Sequence, residues 1–223
     1  MALAAKGLEG IIANESKLSN VQGLEGKLCY LGYTIDELVE HTSFEEVIYL
    51  LHNGKLPNRS ELDGLISKLK ADRNLPDGII DFLKNAPKDA GPMDVIRTGV
   101  SMMGLYDTKG DHQNRSLNED RAIAIIAKIP LIVAAFHRFR QGLEIVESRE
   151  DLSEAAHFLY LINGEVPSKD AAKTLDVAYI LHADHGMNAS TFSSRVTVAT
   201  LSDMYSAICL LYTSDAADEE DSV

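Results

Sequence analysis

Between about residue 35 and residue 208, apolar side chains recur at the spacing of a helix face, and paired start and stop signals cut the run into short lengths. That pattern confines the chain to a helical architecture. Ser43-Phe44-Glu45-Glu46 is a capping box ahead of Val47, Leu50 and Leu51, with Gly54 and Pro57 as the stop. Asn58-Arg59-Ser60-Glu61 caps a second helix with Leu62, Leu65, Ile66 and Leu69 on one face, and Pro76 opens a third through Ile79, Ile80 and Leu83. Pro92 opens a helix carrying Val95, Ile96, Val100 and Met103. Gly99 and Gly104 weaken it as a helix and predict close packing against another backbone.

After a looser polar stretch from Asp107 to Arg115, Ser116-Leu117-Asn118-Glu119 reads as the capping box of a long helix running to about Gln141, with a kink expected where Pro130 falls in its interior. Helices are expected at about 151–162 and 168–185, divided by the Gly164 and Pro167 break, and a last one at about 190–209. No repeat or long linker interrupts the series, so one bundle-like domain is expected over residues 35–208. Ahead of it, the glycines between Gly7 and Gly32 separate runs too short for helices, which predicts a small β-hairpin within residues 1–34. The fold class is therefore all-α with a minor N-terminal β element.

Composition excludes several functions. The formal charge of −13 disfavours a phosphate-tracking nucleic-acid binder. No apolar run approaches the roughly eighteen residues of a membrane span, and the first residues lack the charged start and long apolar core of an export signal. Cys29 and Cys209, far apart and outside any metal-ligand spacing, fit a reducing compartment, so a cytoplasmic location is expected. Residues 209–223 break the helical pattern and hold five acidic residues with no Lys or Arg.

The chemistry concentrates at Leu181-His182-Ala183-Asp184-His185-Gly186-Met187-Asn188-Ala189-Ser190-Thr191. His182 and His185 would share a helix face, Gly186 would end that helix in a left-handed conformation, and Asn188 or Ser190 would cap the next. Residue types alone leave three readings open. His182 could be a core histidine whose tautomer Asp184 fixes, the two histidines and the carboxylate could hold zinc, or the helix start could bind a small carboxylate. His41, His52, His112, His137 and His157 sit singly and receive no role.

The block His182 to Phe192, followed by Arg195-Val196 and Thr200-Leu201-Ser202-Asp203-Met204-Tyr205-Ser206-Ala207-Ile208, resembles the citrate synthase family. Gly7-Leu8-Glu9-Gly10, Gly32 to Leu38, Ser43 to Leu51 and Pro92 to Thr98 resemble its earlier segments. The resemblance implies a mostly helical homodimeric enzyme that condenses acetyl-CoA with oxaloacetate, with no cofactor and no metal. Carried over by position, it implies that His185 and Asn188 bind oxaloacetate, that His182 and Asp184 support them, and, on a looser alignment, that Arg73 contacts substrate. The family's catalytic histidines and aspartate lie further along and have no counterpart here. From Cys209 the chain departs from the family pattern, so it is expected to be a truncated, inactive member with a non-native tail. The Pro92 to Met102 segment is similar to 2-methylcitrate synthases as well, which use propionyl-CoA.

Overall fold

The computed structural model describes residues 15–184 and 186–212. Three short antiparallel strands, β1 (Ser19–Gln22), β2 (Lys27–Tyr30) and β3 (Tyr33–Thr34), pair in the order β1-β2-β3, with Ser19 opposite Tyr30 and Tyr30 opposite Tyr33. The expected hairpin is thus a three-stranded meander. Gly26, at φ +64°, closes its first turn through a left-handed conformation that a side chain would strain.

Ten helices follow among the described residues: α1 (Ile35–His41), α2 (Phe44–Asn53), α3 (Arg59–Ala71), α4 (Asp77–Asn85), α5 (Pro92–Tyr106), α6 (Arg115–Arg140), α7 (Glu154–Asn163), α8 (Lys169–Leu181), α9 (Ala189–Ala199) and α10 (Met204–Leu211). Capping boxes at Thr34, Ser43 and Asn58 start the first three, and Gly54 and Gly164 end α2 and α7 in left-handed conformations. The long helix α6 is capped by Asn114 rather than Ser116, because the Asn114 carboxamide oxygen accepts from Leu117 N at 3.1 Å. It continues through Pro130 without interruption.

The expected final helix is two helices. Thr200 ends α9, and Asp203 starts α10 by accepting from Ser206 N at 2.9 Å. Helix α10 runs past residue 208 to Leu211, so the expected domain boundary falls inside a helix whose Cys209 thiol reaches the Arg97 carbonyl. Residues 213–223 lie outside the described residues.

The two largest of four hydrophobic clusters among the described residues organise the fold. Ile79, Leu83, Val95, Met103, Ile125, Ile132, Phe136 and Tyr205 join α4, α5, α6 and α10. Tyr30, Leu38, Val47, Leu50 and Ile180 join β2, α1, α2 and α8. Gly99 and Gly104 do mark close approaches, to side chains rather than to backbone. A Cβ at Gly99 would stand 3.0 Å from Ile132 Cδ1, and one at Gly104 would stand 3.3 Å from Tyr205.

By length and composition α6 is long and apolar enough to cross a bilayer, which the sequence reading missed. It is a core helix, packed against α3, α4, α5, α7 and α10. Its buried Arg121 is tied to Asp107, the Asn118 carboxamide and the Gly110 and Asp111 carbonyls. The polar stretch after α5 is pinned by that arginine.

Helix starts are also capped across the fold. Asp176 of α8 accepts from Phe44 N at the start of α2 (2.9 Å), and Glu45 of α2 accepts from Glu154 N at the start of α7 (2.8 Å). Each carboxylate satisfies an N–H that its own helix cannot, and places a negative charge at the positive end of a helix dipole.

Candidate functional site at the α8–α9 bend

Helix α8 stops earlier than its sequence suggests. Leu181 is its last residue and His182 its cap, so Ala183 and Asp184 already lie in the bend. His185 lies outside the described residues. Gly186 does take the left-handed conformation, at φ +76°, but within the bend rather than at the helix end.

His182 is exposed, and its Nδ1 donates to the Ala178 carbonyl at 2.7 Å. The backbone fixes that tautomer and leaves Nε2 as the acceptor. Asp184, expected to orient His182, instead turns the other way. Its Oδ1 accepts from Ser19 Oγ at 2.5 Å and from Gly186 N at 2.7 Å. His182 is therefore not the buried core histidine of the first reading. Among the described residues, no group of three His, Cys, Asp or Glu side chains is placed to hold a metal ion.

Asn188 caps α9 as the sequence suggested, its Oδ1 accepting from Thr191 N at 2.8 Å. The carboxamide thus stands at the positive end of a helix, with buried Ser190 in the first turn behind it. A cavity of about 420 Å³ adjoins the bend, lined by Ala183, Asp184, Leu18, Phe44, Ile48 and His52 among others. Burial holds the His52 imidazole below its usual pKa, against the pull of Glu119. Sequence reasoning gave His52 no role because the residues that close this cavity over α2, namely Leu18, Ile126, Ala183 and Asp184, are distant along the chain.

Arg73 sits elsewhere. Only 5% exposed, it donates to the Arg149 carbonyl (2.5 Å), the Leu152 carbonyl (3.0 Å) and Glu154 Oε1 (2.7 Å). It lines a separate cavity of about 220 Å³ between α6 and the segment leading to α7, alongside Leu131, Ala135 and Val146. Burial raises the Glu154 pKa, opposed by Arg73 and reinforced by Glu45. Burial, with Arg73 nearby, depresses His157 to about 4. The geometry at Arg73 is that of a buried ion pair which ties the 142–153 segment down.

A family model described as citrate synthase, C-terminal domain, matches residues 7–210. The chain belongs to the citrate synthase family. A citrate synthase of Haloferax volcanii is 48% identical over 207 residues, which cover 91% of this chain and 55% of that protein. A 2-methylcitrate synthase of Shewanella oneidensis is 41% identical over 208 residues, covering 92% and 54%. Among solved structures, the ternary complex of carboxymethyl coenzyme A and oxaloacetate with citrate synthase from Thermoplasma acidophilum superposes with a TM-score of 0.88 at 28% identity, covering 93% of this chain and 55% of that one. The chain thus spans about half the length of the citrate synthases it matches. Its helical fold is the family's.

Proposed function

We propose that this chain is the oxaloacetate-binding half of a citrate synthase, an acyltransferase that condenses acetyl-CoA with oxaloacetate to give citrate and coenzyme A. The observation that carries the reading is the α8–α9 bend, where Asn188 caps the start of α9 a few residues after His182 ends α8, within a chain of this family. Asn188 spends Oδ1 on the cap, so its side chain would donate to a substrate carboxylate through Nδ2. An imidazole N–H from His185 would supply a second, charge-assisted hydrogen bond. His182 and Asp184 shape the bend without touching substrate. Arg73 donates to Glu154 and two carbonyls, away from the bend, and in this reading it supports the scaffold.

Catalysis of the condensation requires a base for the acetyl methyl and electrophilic groups for the enol and the keto carbonyl. The chain spans about half the length of its citrate synthase relatives, and in this reading the groups for these steps lie in the other half, so the 223 residues alone give no condensation. No metal or cofactor takes part, and acetyl-CoA is a substrate. The complete enzyme is a cytoplasmic homodimer with no nucleic-acid or membrane partner; the unpaired Cys29 and Cys209 agree with a reducing compartment. Leu105, Val196, Val198 and Leu201 expose large apolar surface, as expected of a piece whose remaining half or second subunit covers them.

A coenzyme A release assay tests this reading. The purified 223-residue chain is expected to give none with acetyl-CoA and oxaloacetate. The same chain joined to the C-terminal half of the Haloferax volcanii relative is expected to turn over and to lose activity in His185→Ala. Turnover by the chain alone, or an active fusion indifferent to His185→Ala, would overturn it. Substituting propionyl-CoA in the fusion separates the 2-methylcitrate alternative, which the similarity to that enzyme of Shewanella oneidensis keeps in view.

A further inference from the structure

The bend is clamped from outside the helices that form it. Tyr30 Oη, fully buried, donates to the Ile180 carbonyl at 3.0 Å and lies 3.3 Å from the Leu181 carbonyl, two of the terminal acceptors that α8 cannot satisfy. The same hydroxyl oxygen accepts from Asp184 N at 3.3 Å. Ser19 Oγ donates to Asp184 Oδ1 at 2.5 Å, and that oxygen also takes the Gly186 N–H. Ser19 and Tyr30 are direct partners across the β1–β2 ladder, so one rung of the small sheet grips both sides of the bend. A Cβ built on Gly186 would stand 3.8 Å from Ser19 Oγ, which places the rung directly against the left-handed residue.

We propose that Ser19 and Tyr30 are positioning residues for oxaloacetate binding. They hold Asp184 and Gly186 in the shape that leads from the end of α8 to the Asn188 cap of α9. The Tyr30 hydroxyl holds the end of α8 and the Asp184 N–H, Ser19 holds the Asp184 carboxylate, and a loop so held loses little further entropy when a ligand arrives. Tyr30 contributes packing as well, sealing the core shared with Leu38, Leu50 and Ile180. The N-terminal sheet is thus part of the binding apparatus. The inference rests on the bend being the oxaloacetate site, and the experiment separates the two.

Amide hydrogen exchange and oxaloacetate affinity are measured on the 223-residue chain for Ser19→Ala, Ser19→Thr, Tyr30→Phe and, as a control at the far end of α8, Ser168→Ala. Ser19→Ala and Tyr30→Phe are expected to speed exchange at the Gly186 and Asp184 amides at least about tenfold relative to the amides of mid-α8, and to weaken oxaloacetate binding by a similar factor. Ser19→Thr keeps the hydroxyl and is expected to restore both. Ser168→Ala removes a cap without touching the bend and is expected to alter neither ratio. Exchange at Gly186 that rises only in step with mid-α8 would reduce Ser19 and Tyr30 to general stabilisers and overturn the proposal. So would unchanged affinity in Ser19→Ala. If Tyr30→Phe does not fold, Ser19→Ala, at a half-buried position, decides alone. If the unmodified chain binds no oxaloacetate, the functional reading fails, and the exchange ratios still decide whether the rung positions the bend.

Discussion

Replacing Arg73 by Met removes the cation but keeps most of the volume, and the structure fixes what is left behind. Glu154, 6% exposed, loses its partner at 2.7 Å while Glu45 still faces its backbone N–H, so a carboxylate stays buried without compensation. Breaking such a pair from one side costs about 3–5 kcal/mol. The Arg149 and Leu152 carbonyls lose donors as well, but they belong to a surface segment where water can replace them. The cost depends on pH with a definite sign. Burial already raises the Glu154 pKa and Arg73 restrains it; without Arg73 the folded-state pKa rises further. A group with a raised folded pKa stabilises below its unfolded value and loses that contribution as pH climbs through the folded one. Urea unfolding of Arg73→Met is therefore expected to show a larger cost at pH 8 than at pH 5, because a raised folded-state pKa favours the uncharged Glu154 as pH falls. Arg73→Met with Glu154→Leu should recover most of the loss, because both charges are gone. A penalty under about 1 kcal/mol, or one equal at both pH values, would refute the buried-pair reasoning and return Arg73 to the role of a substrate contact.

Asn188→Ala removes the α9 cap and is expected to cost about 1 kcal/mol in chemical denaturation, with Asn188→Asp close to neutral. Gly99→Ala drives a methyl to within 3.0 Å of Ile132 Cδ1 and is expected to destabilise by about 1–3 kcal/mol, whereas Gly64→Ala, in α3 with nothing within 4 Å, is expected to stabilise by about 0.5–1 kcal/mol. Thermal melts of the two alanine variants should move in opposite directions. His157, depressed to about 4 mainly by burial, is neutral in the fold and charged in the unfolded chain below about 6.5. Its contribution is present above that value and is lost as pH falls toward 4, so His157→Gln should flatten the pH dependence of stability over that window.

What the sequence made readable was local. Ser43, Asn58 and Asn188 cap the helices they precede, and Gly54 and Gly164 end theirs, because a cap needs only partners within three or four residues. The errors share one cause. Ser116 lost to Asn114, two residues earlier, where the Arg121 network holds the preceding loop. Helix α8 ended before the Asp184 position because Tyr30, distant along the chain, brings its one hydroxyl proton to the helix's last carbonyls and accepts the Asp184 N–H. Asp184 faces Ser19 rather than His182 for the same reason. Asp176 and Glu45, which cap helices other than their own, look from the sequence like ordinary surface acids. The motif at residues 182–191 marked the bend correctly, but nothing near it along the chain reveals the sheet that holds it.

The most direct test is a titration of the 223-residue chain with oxaloacetate, followed through backbone amide resonances. Saturable shifts confined to residues 183–191 and their contacts at Ser19 and Tyr30, abolished in His185→Ala and weakened in Asn188→Ala, are the expected result. Shifts centred on the Arg73 cavity, or none at concentrations that saturate a complete citrate synthase, would contradict the assignment of the bend as the oxaloacetate site.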